Sequence, residues 1–145
     1  MKVKASHSYR HAEAILEKEY PAERAEILAA LEEAEFQYLP EPKERKRHGK
    51  VVAVLTINQN LTNKVVEEAF ESKGWEARPT IISASKSKLK ADFKKSKVQV
   101  EVQFGNMARW YTDVFKFLLS YSADDIEVGV LVVPDQRTAR RLILL

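Results

Sequence analysis

Cysteine is absent from the 145-residue sequence. The chain therefore cannot form a disulfide, bind a metal through thiolates or use a cysteine nucleophile, so any metal must be held by oxygen or imidazole. Glycine and proline are scarce, with four and five residues respectively. This composition predicts a helix-rich folded chain and excludes general disorder.

Long apolar runs are also missing, since none reaches the roughly 18 to 20 residues that span a bilayer. The opening Met-Lys-Val-Lys is not followed by the apolar core of a signal peptide. We therefore expect a soluble, unexported, cytoplasmic protein. The length suits a single domain over residues 1–145. Because the final Leu-Ile-Leu-Leu offers neither a helix cap nor a polar ending, we expect the domain to be truncated at its C-terminus.

Charge of one sign is not in large excess, since the formal net charge is only +3. Two local clusters, Lys43–Lys50 and Lys86–Lys97, are nevertheless strongly basic. Such clusters are typical either of phosphate contacts or of solvated loops. The first cluster follows Pro40 and Pro42, which predicts a mobile loop, and Lys46 and Arg47 are its candidate phosphate-contacting residues.

Apolar residues recur at helical spacing in two N-terminal segments, Tyr9–Leu16 and Pro21–Ala34. Val51–Thr56 predicts a short strand. The helix that follows has Val65, Val66, Ala69 and Phe70 toward the core, and its candidate caps are Asn60, Thr62 and Asn63.

A strand, a helix and a second strand are predicted in the C-terminal third. Met107–Leu118 carries a wide apolar stripe, which we expect to face the core rather than to stack on bases. The nearly continuous apolar run Ile126–Val133 predicts a strand that is buried on both faces. Together with the strand before them, these segments predict a βαβ unit with a parallel pair.

Leu89–Phe93 and Lys97–Phe104 both alternate with period two. A hairpin with Lys94–Lys97 as a four-residue loop would pair Phe93 with Val98, which places Asp92 opposite Gln99. Alternation then predicts one apolar face toward a core and one polar face. The polar face would carry Asp92, Gln99, Glu101 and Gln103.

In this arrangement Asp92 and Glu101 are diagonal neighbours, roughly 7 to 8 Å apart by Cα. Two carboxylates at that spacing can share Mg²⁺, the cation that activates water and neutralises phosphate in phosphodiester hydrolysis. The solvated face of an amphipathic strand produces the same pattern. The motif alone therefore leaves both readings open.

A longer match discriminates between them. Asp92-Phe93, followed after seven residues by Glu101-Val-Gln-Phe-Gly-Asn106, resembles the active-site segment of the BglII-type restriction endonucleases, a group of the PD-(D/E)xK nuclease superfamily. Tyr9–Leu16 is similar to the N-terminal helix of that family, and Gly74-Trp75 to the Trp after its second core helix.

The resemblance implies an α/β fold, with a mixed central β-sheet flanked by helices. It also implies a type II restriction endonuclease that acts as a homodimer on double-stranded DNA, requires Mg²⁺, cuts at a short palindromic site and leaves 5′ phosphates. Two alternatives remain open: a truncated or inactive DNA-binding relative, and an unrelated α/β interaction domain whose acids form a solvated strand face.

Residue by residue, the resemblance implies that Asp92 and Glu101 ligate Mg²⁺, and Val102 is counted with these metal ligands. Gln103 takes the place of the superfamily's Lys, which matches the BglII subgroup but supplies no positive charge. An upstream catalytic residue is expected from the second core helix or the segment after it. Glu68 and Glu71 are the candidates, with Glu68 taken as the catalytic residue, and the alternative is that both lie on an exposed helix face with Lys64.

Three lysines flank the acids. Lys90, Lys95 and Lys97 are candidate phosphate contacts. A run of lysines is equally typical of a solvated hairpin tip.

Overall fold

The computed structural model describes residues 1–47, 49–81, 88–105 and 109–142. The helices are α1 (Ala12–Glu19), α2 (Pro21–Glu33), α3 (Gln59–Glu71), α4 (Trp110–Ser122) and α5 (Gln136–Leu142). The strands are β1 (Lys43–Arg47), β2 (Lys50–Val54), β3 (Glu76–Ala77), β4 (Phe93–Lys95), β5 (Val98–Val102) and β6 (Val128–Val132). Among the helices of the described residues, none has the length and apolar character needed to cross a membrane.

The central sheet has four strands in the order β3-β4-β5-β6. Its first three strands are antiparallel, whereas β6 runs parallel to β5. The parallel pair is joined through α4, which confirms the predicted βαβ unit. A mixed sheet flanked by helices confirms the predicted α/β class.

The β4–β5 hairpin has a tighter turn than we predicted. Lys95 pairs with Val98, so that only Ser96 and Lys97 form the turn, and Ser96 takes the left-handed conformation with φ 51°. The predicted four-residue loop was wrong. Because the register moves by two residues and side chains alternate with period two, every side chain keeps its predicted face. Extending this register brings Asp92 directly opposite Glu101 instead of diagonal to it.

Aromatic side chains hold α3 against the sheet. Phe70 is fully buried, its ring stacks on Phe93 at 4.3 Å between centroids, and Trp75 packs edge-on at 5.5 Å. Val98 and Val100 are also fully buried in this core. The core therefore lies between α3 and the apolar face of β4 and β5.

The basic segment that we predicted to be a mobile loop instead forms a hairpin. β1 and β2 pair in antiparallel register from Lys43 with Val54 to Arg47 with Lys50, in a separate two-stranded sheet. Gly49, at φ 78°, supplies the left-handed residue of the turn, and His48 lies outside the described residues. The prediction was wrong because pairing with the β-branched segment β2 satisfies the backbone of the charged strand, while Lys43, Glu44 and Lys46 keep their side chains exposed.

Helix α4 is oriented opposite to our prediction. Its apolar stripe is exposed, with 53% of Trp110, 55% of Phe115 and 58% of Leu118 accessible. Asp113 and Ser120 are the buried residues of this helix. The reason is the sheet face beneath α4, which carries Gln99 and Glu101 and therefore receives polar partners.

Phe70→Ala should lower the free energy of unfolding by about 3–5 kcal/mol, because it leaves a cavity between α3 and β4. Urea denaturation measures the loss. Leu28→Ala, at a side chain that is 40% exposed on α2, is the control and should change stability by less than about 1 kcal/mol. Equal losses in the two variants would contradict this account of the core.

Candidate active site

Asp92 lies immediately before β4, where the chain enters the hairpin. The backbone N–H of Val102 donates to Asp92 Oδ2 at 2.7 Å, and the N–H of Arg78 donates to the Asp92 backbone oxygen at 2.9 Å. These bonds fix both the side chain and the backbone of Asp92. The carboxylate is therefore directed across the hairpin toward β5.

Glu101 is 0% exposed although it carries a carboxylate. Gln99 Nε2 donates to its Oε1 at 2.8 Å, and Lys116 Nζ donates to its Oε2 at 2.6 Å. Both oxygens of the buried acid thus have partners. An acid at such depth is tolerated only with this pairing.

Lys116 connects Glu101 to a second acid on α4. Its Nζ lies 3.0 Å from Asp113 Oδ1, one helical turn away, and Asp113 is only 6% exposed. Gln103 Nε2 donates to Asp113 Oδ2 at 3.4 Å. A continuous polar network therefore joins Gln103, Asp113, Lys116, Glu101 and Gln99 between α4 and the sheet.

Burial raises the pKa of two acids at this site, Glu101 and Asp92. It raises the pKa of Glu101 to about 7, and the neighbouring Asp92 carboxylate adds to this while Lys116 opposes it. Burial also raises the pKa of Asp92, against the hydrogen bond from Val102. For Lys116 burial alone lowers the pKa, but the bonds and charges of Glu101 and Asp113 raise it overall. Asp92 and Glu101 are thus close enough to repel one another.

A cavity of about 420 Å³ opens beside these acids. The residues that line it include Gln59, Asn63, Asp92, Gln103, Arg109 and Lys116. A smaller cavity of about 180 Å³ touches Asp92 together with Asn63, Glu67 and Arg78. Asp92 and Asp113 therefore border open, polar space, and Glu101 lies behind it, in contact with the cavity residue Lys116.

The donor set fits a hard divalent cation. Asp92 and Glu101 offer carboxylate oxygens, and Val102 can offer only its backbone oxygen because its side chain has no donor atom. Among the described residues, no group of three or more histidine, aspartate or glutamate side chains is placed to hold a metal by itself. Mg²⁺ suits such a partial cage, since it keeps waters or takes phosphate oxygens in the remaining positions.

The hairpin lysines are not brought to the acids. Lys95 Nζ contacts both carboxylate oxygens of Glu26 at 2.8 Å, and Lys97 Nζ lies 3.3 Å from Asp124 Oδ1. At about 3.3 Å per residue, the turn lies some 13 Å along the strand from Glu101. Lys95 and Lys97 therefore stabilise the far end of the hairpin. Lys90 lies exposed on the approach to Asp92 and is the lysine of this set nearest to it in the chain.

The remaining candidates lie elsewhere. Glu68 is exposed on α3, where its carboxylate lies 3.8 Å from Lys64 Nζ, and it lines neither cavity. Lys46 is exposed on β1 and Arg47 ends that strand, in the separate two-stranded sheet. From α3 it is Asn63 that faces Asp92 across both cavities. Glu68 was chosen because it is acidic, but the side of α3 on which a residue lies determines whether it borders the cavities.

Sequence reasoning missed Lys116 and Asp113. Their spacing of three residues on the polar side of the α4 pattern was a usable signal, because it places an acid and a base on one helix face. It was overlooked because the apolar stripe was assigned to the core. Asn63 was read only as a helix cap, but Asn58 holds that position and its side chain accepts a bond from the Leu61 N–H.

Known proteins provide independent comparisons. The sequence matches the protein family described as "Restriction endonuclease BglII/BglIII" over residues 5–142. A crystal structure of restriction endonuclease BglII complexed with a DNA 16-mer is similar, at 21% identity and a TM-score of 0.63, over 85% of this chain and 55% of that one. The chain thus spans little more than half the length of that relative. No curated protein matches the chain.

Glu101→Gln should change how stability depends on pH. The raised pKa means that, between about 4.5 and 7, the folded wild type retains a proton that the unfolded chain releases. The retained proton stabilises the folded state fully below pH 4.5, and this stabilisation is lost as pH rises through 7. The free energy of unfolding should fall by up to about 3 kcal/mol over this range. Glu101→Gln cannot ionise and should gain stability relative to wild type across that window.

Urea denaturation in EDTA across this pH range tests the expectation. Glu68→Gln, at an exposed carboxylate, is the control and should follow the wild type. Parallel profiles for Glu101→Gln and the wild type would refute the burial argument.

Proposed function

Because the chain belongs to the BglII/BglIII restriction endonuclease family, we propose that it is a type II site-specific deoxyribonuclease. It would hydrolyse double-stranded DNA with Mg²⁺ at a short palindromic site and leave 5′-phosphate ends. The observation that carries the proposal is the pair of carboxylates Asp92 and Glu101, which lie opposite each other on the hairpin, with Asp92 at the edge of a polar cavity.

Each residue of this site has a separate task. Asp92 and Glu101 would hold the cation through carboxylate oxygens, with the backbone oxygen of Val102 beside them. Bound Mg²⁺ would supply charge neutralisation at the phosphate and a more acidic water. Gln103 donates its amide N–H to Asp113 and lines the cavity, where its carbonyl oxygen would accept a hydrogen bond from the attacking water.

Phosphate contacts would come from cationic side chains around the cavity. Arg109 is exposed and lines the larger cavity, and Arg78 lines the smaller one. Lys90 lies exposed near Asp92, and Lys46 and Arg47 on the hairpin of β1 and β2 would reach DNA farther from the cut. Binding through such residues releases counterions, so DNA affinity would fall steeply with salt.

The exposed apolar face of α4 supports assembly into a homodimer. Six large apolar side chains of this helix are at least 37% exposed: Trp110, Tyr111, Val114, Phe115, Leu118 and Tyr121. A continuous apolar face of this kind is typical of a protein contact. A second copy suits a palindromic DNA site, because two-fold symmetry of the protein then matches that of the DNA.

Cleavage of plasmid DNA in Mg²⁺ tests the catalytic assignment. Asp92→Asn and Glu101→Gln should each reduce the rate by more than about a hundredfold, since even residues that only support metal ligands are worth about 10- to 100-fold. Glu68→Gln is the control and should cut like the wild type, because its carboxylate lies away from both cavities. Wild-type activity in Glu101→Gln would refute the site, and binding without any cleavage by the wild type would favour an inactive DNA-binding relative.

Sedimentation velocity tests the dimer. Leu118→Glu places a charge on the α4 face at a side chain that is 58% exposed in the single chain, so it should leave the fold intact and convert dimers to monomers. Leu61→Glu, at a 50% exposed residue of α3, is the matched control and should remain dimeric. A wild-type monomer at micromolar concentration, or a dimeric Leu118→Glu variant, would exclude this interface.

A further inference from the structure

We propose that the Lys116 ammonium occupies the cation position at Glu101 in the metal-free protein. A divalent metal must displace this ammonium from Glu101 in order to bind. The inference rests on the proposed metal-dependent function. It assigns to α4 the positive charge that Gln103 cannot provide on β5.

The contacts of Glu101 leave a metal no unoccupied oxygen. Lys116 Nζ lies 2.6 Å from Oε2, and Gln99 Nε2 lies 2.8 Å from Oε1. The acid is 0% exposed and the lysine side chain 12% exposed. Two cations on one carboxylate oxygen in such a poorly hydrated place repel each other strongly. A metal ion that takes Oε2 therefore competes directly with the ammonium.

The fold holds the ammonium in this position. Lys116 precedes Phe117, whose ring packs so tightly on Gly129 of β6 that a Cβ added there would lie 2.6 Å from the ring carbon Cγ. A glycine is required at this close approach, which draws α4 down onto the sheet. Lys116 thus differs from the exposed lysines, because the next residue of α4 is packed onto the sheet and the Lys116 ammonium reaches Glu101.

A displaced Lys116 would remain within the site. Its Nζ also lies 3.0 Å from Asp113 Oδ1, and the residue lines the cavity that it shares with Asp92 and Gln103. Asp113 can retain the ammonium after Glu101 has released it. The positive charge would then stay beside the space into which a DNA phosphate enters.

Mn²⁺ titration of the full chain, followed by calorimetry, tests the competition. Lys116→Met removes the competing cation and should bind Mn²⁺ about tenfold more tightly than the wild type, or better still. Lys94→Met is the control, because Lys94 pairs with Asp125 at a partly buried position and lines neither cavity, and it should bind as the wild type does. Equal or weaker binding by Lys116→Met overturns the proposal.

The melting temperature gives a second readout without DNA. In EDTA, Lys116→Met should melt about 10 °C below the wild type, because it leaves Glu101 buried without its cation. Saturating Mn²⁺ should raise the melting temperature of Lys116→Met by more than it raises that of the wild type. The drop in melting temperature of Lys94→Met relative to the wild type should be the same with and without Mn²⁺. If the drop in Lys116→Met is also unchanged by Mn²⁺, the proposal is overturned.

Wild-type protein provides a test that needs no folded Met variant. The side-chain ammonium signal of Lys116 in a ¹H–¹⁵N spectrum, assigned through Lys116→Arg, should be present in EDTA and shift or broaden on saturation with Mg²⁺. An unchanged Lys116 signal while the Glu101 carboxyl carbon shifts would overturn the inference and leave the metal site standing. If the wild type binds neither Mg²⁺ nor Mn²⁺, both this inference and the proposed metal-dependent function fail.

Discussion

The complete burial of the Glu101 carboxylate is the constraint on which the rest of the structure depends. A charge in that position requires charged or hydrogen-bonding partners, and α4 provides them through Lys116 and Asp113. Because the polar side of α4 must therefore face the sheet, its apolar side faces outward. The same buried acid thus explains the polar network inside the chain and the apolar surface that we assign to a second copy.

The position of Asp92 is determined by the hairpin of β4 and β5. The two-residue turn at Ser96 and Lys97 sets a register that brings Asp92 opposite Glu101, and the Val102 N–H then fixes its side chain. The lysines near the turn are engaged by acids at the far end of the strands. Position along the hairpin therefore separates residues that hold the structure together from residues placed for chemistry.

Local patterns predicted the βαβ unit and the polar face of β5, because alternation and helical periodicity depend on nearby residues alone, whereas the mixed central sheet was expected from the family resemblance. The motif around Glu101 identified the family correctly. The position of Asn63 beside the cavities could not be predicted from those patterns, because it depends on which elements pack together across the chain. For the inward side of α4, the spacing of Asp113 and Lys116 was the one local signal, and it was outweighed by the apolar stripe. Glu68 illustrates the limit: its residue type suited the role, but its side of α3 faces away from both cavities.

The binding of a divalent cation by Asp92 and Glu101 is the property on which the proposed function depends most. Anomalous diffraction from crystals of the wild-type chain grown with Mn²⁺ measures this directly, without relying on cleavage. We predict that an anomalous peak marks a Mn²⁺ ion at the edge of the larger cavity, bound to one carboxylate oxygen of Asp92 and one of Glu101. Mn²⁺ peaks confined to other parts of the chain, with Asp92 and Glu101 unligated, would contradict the account.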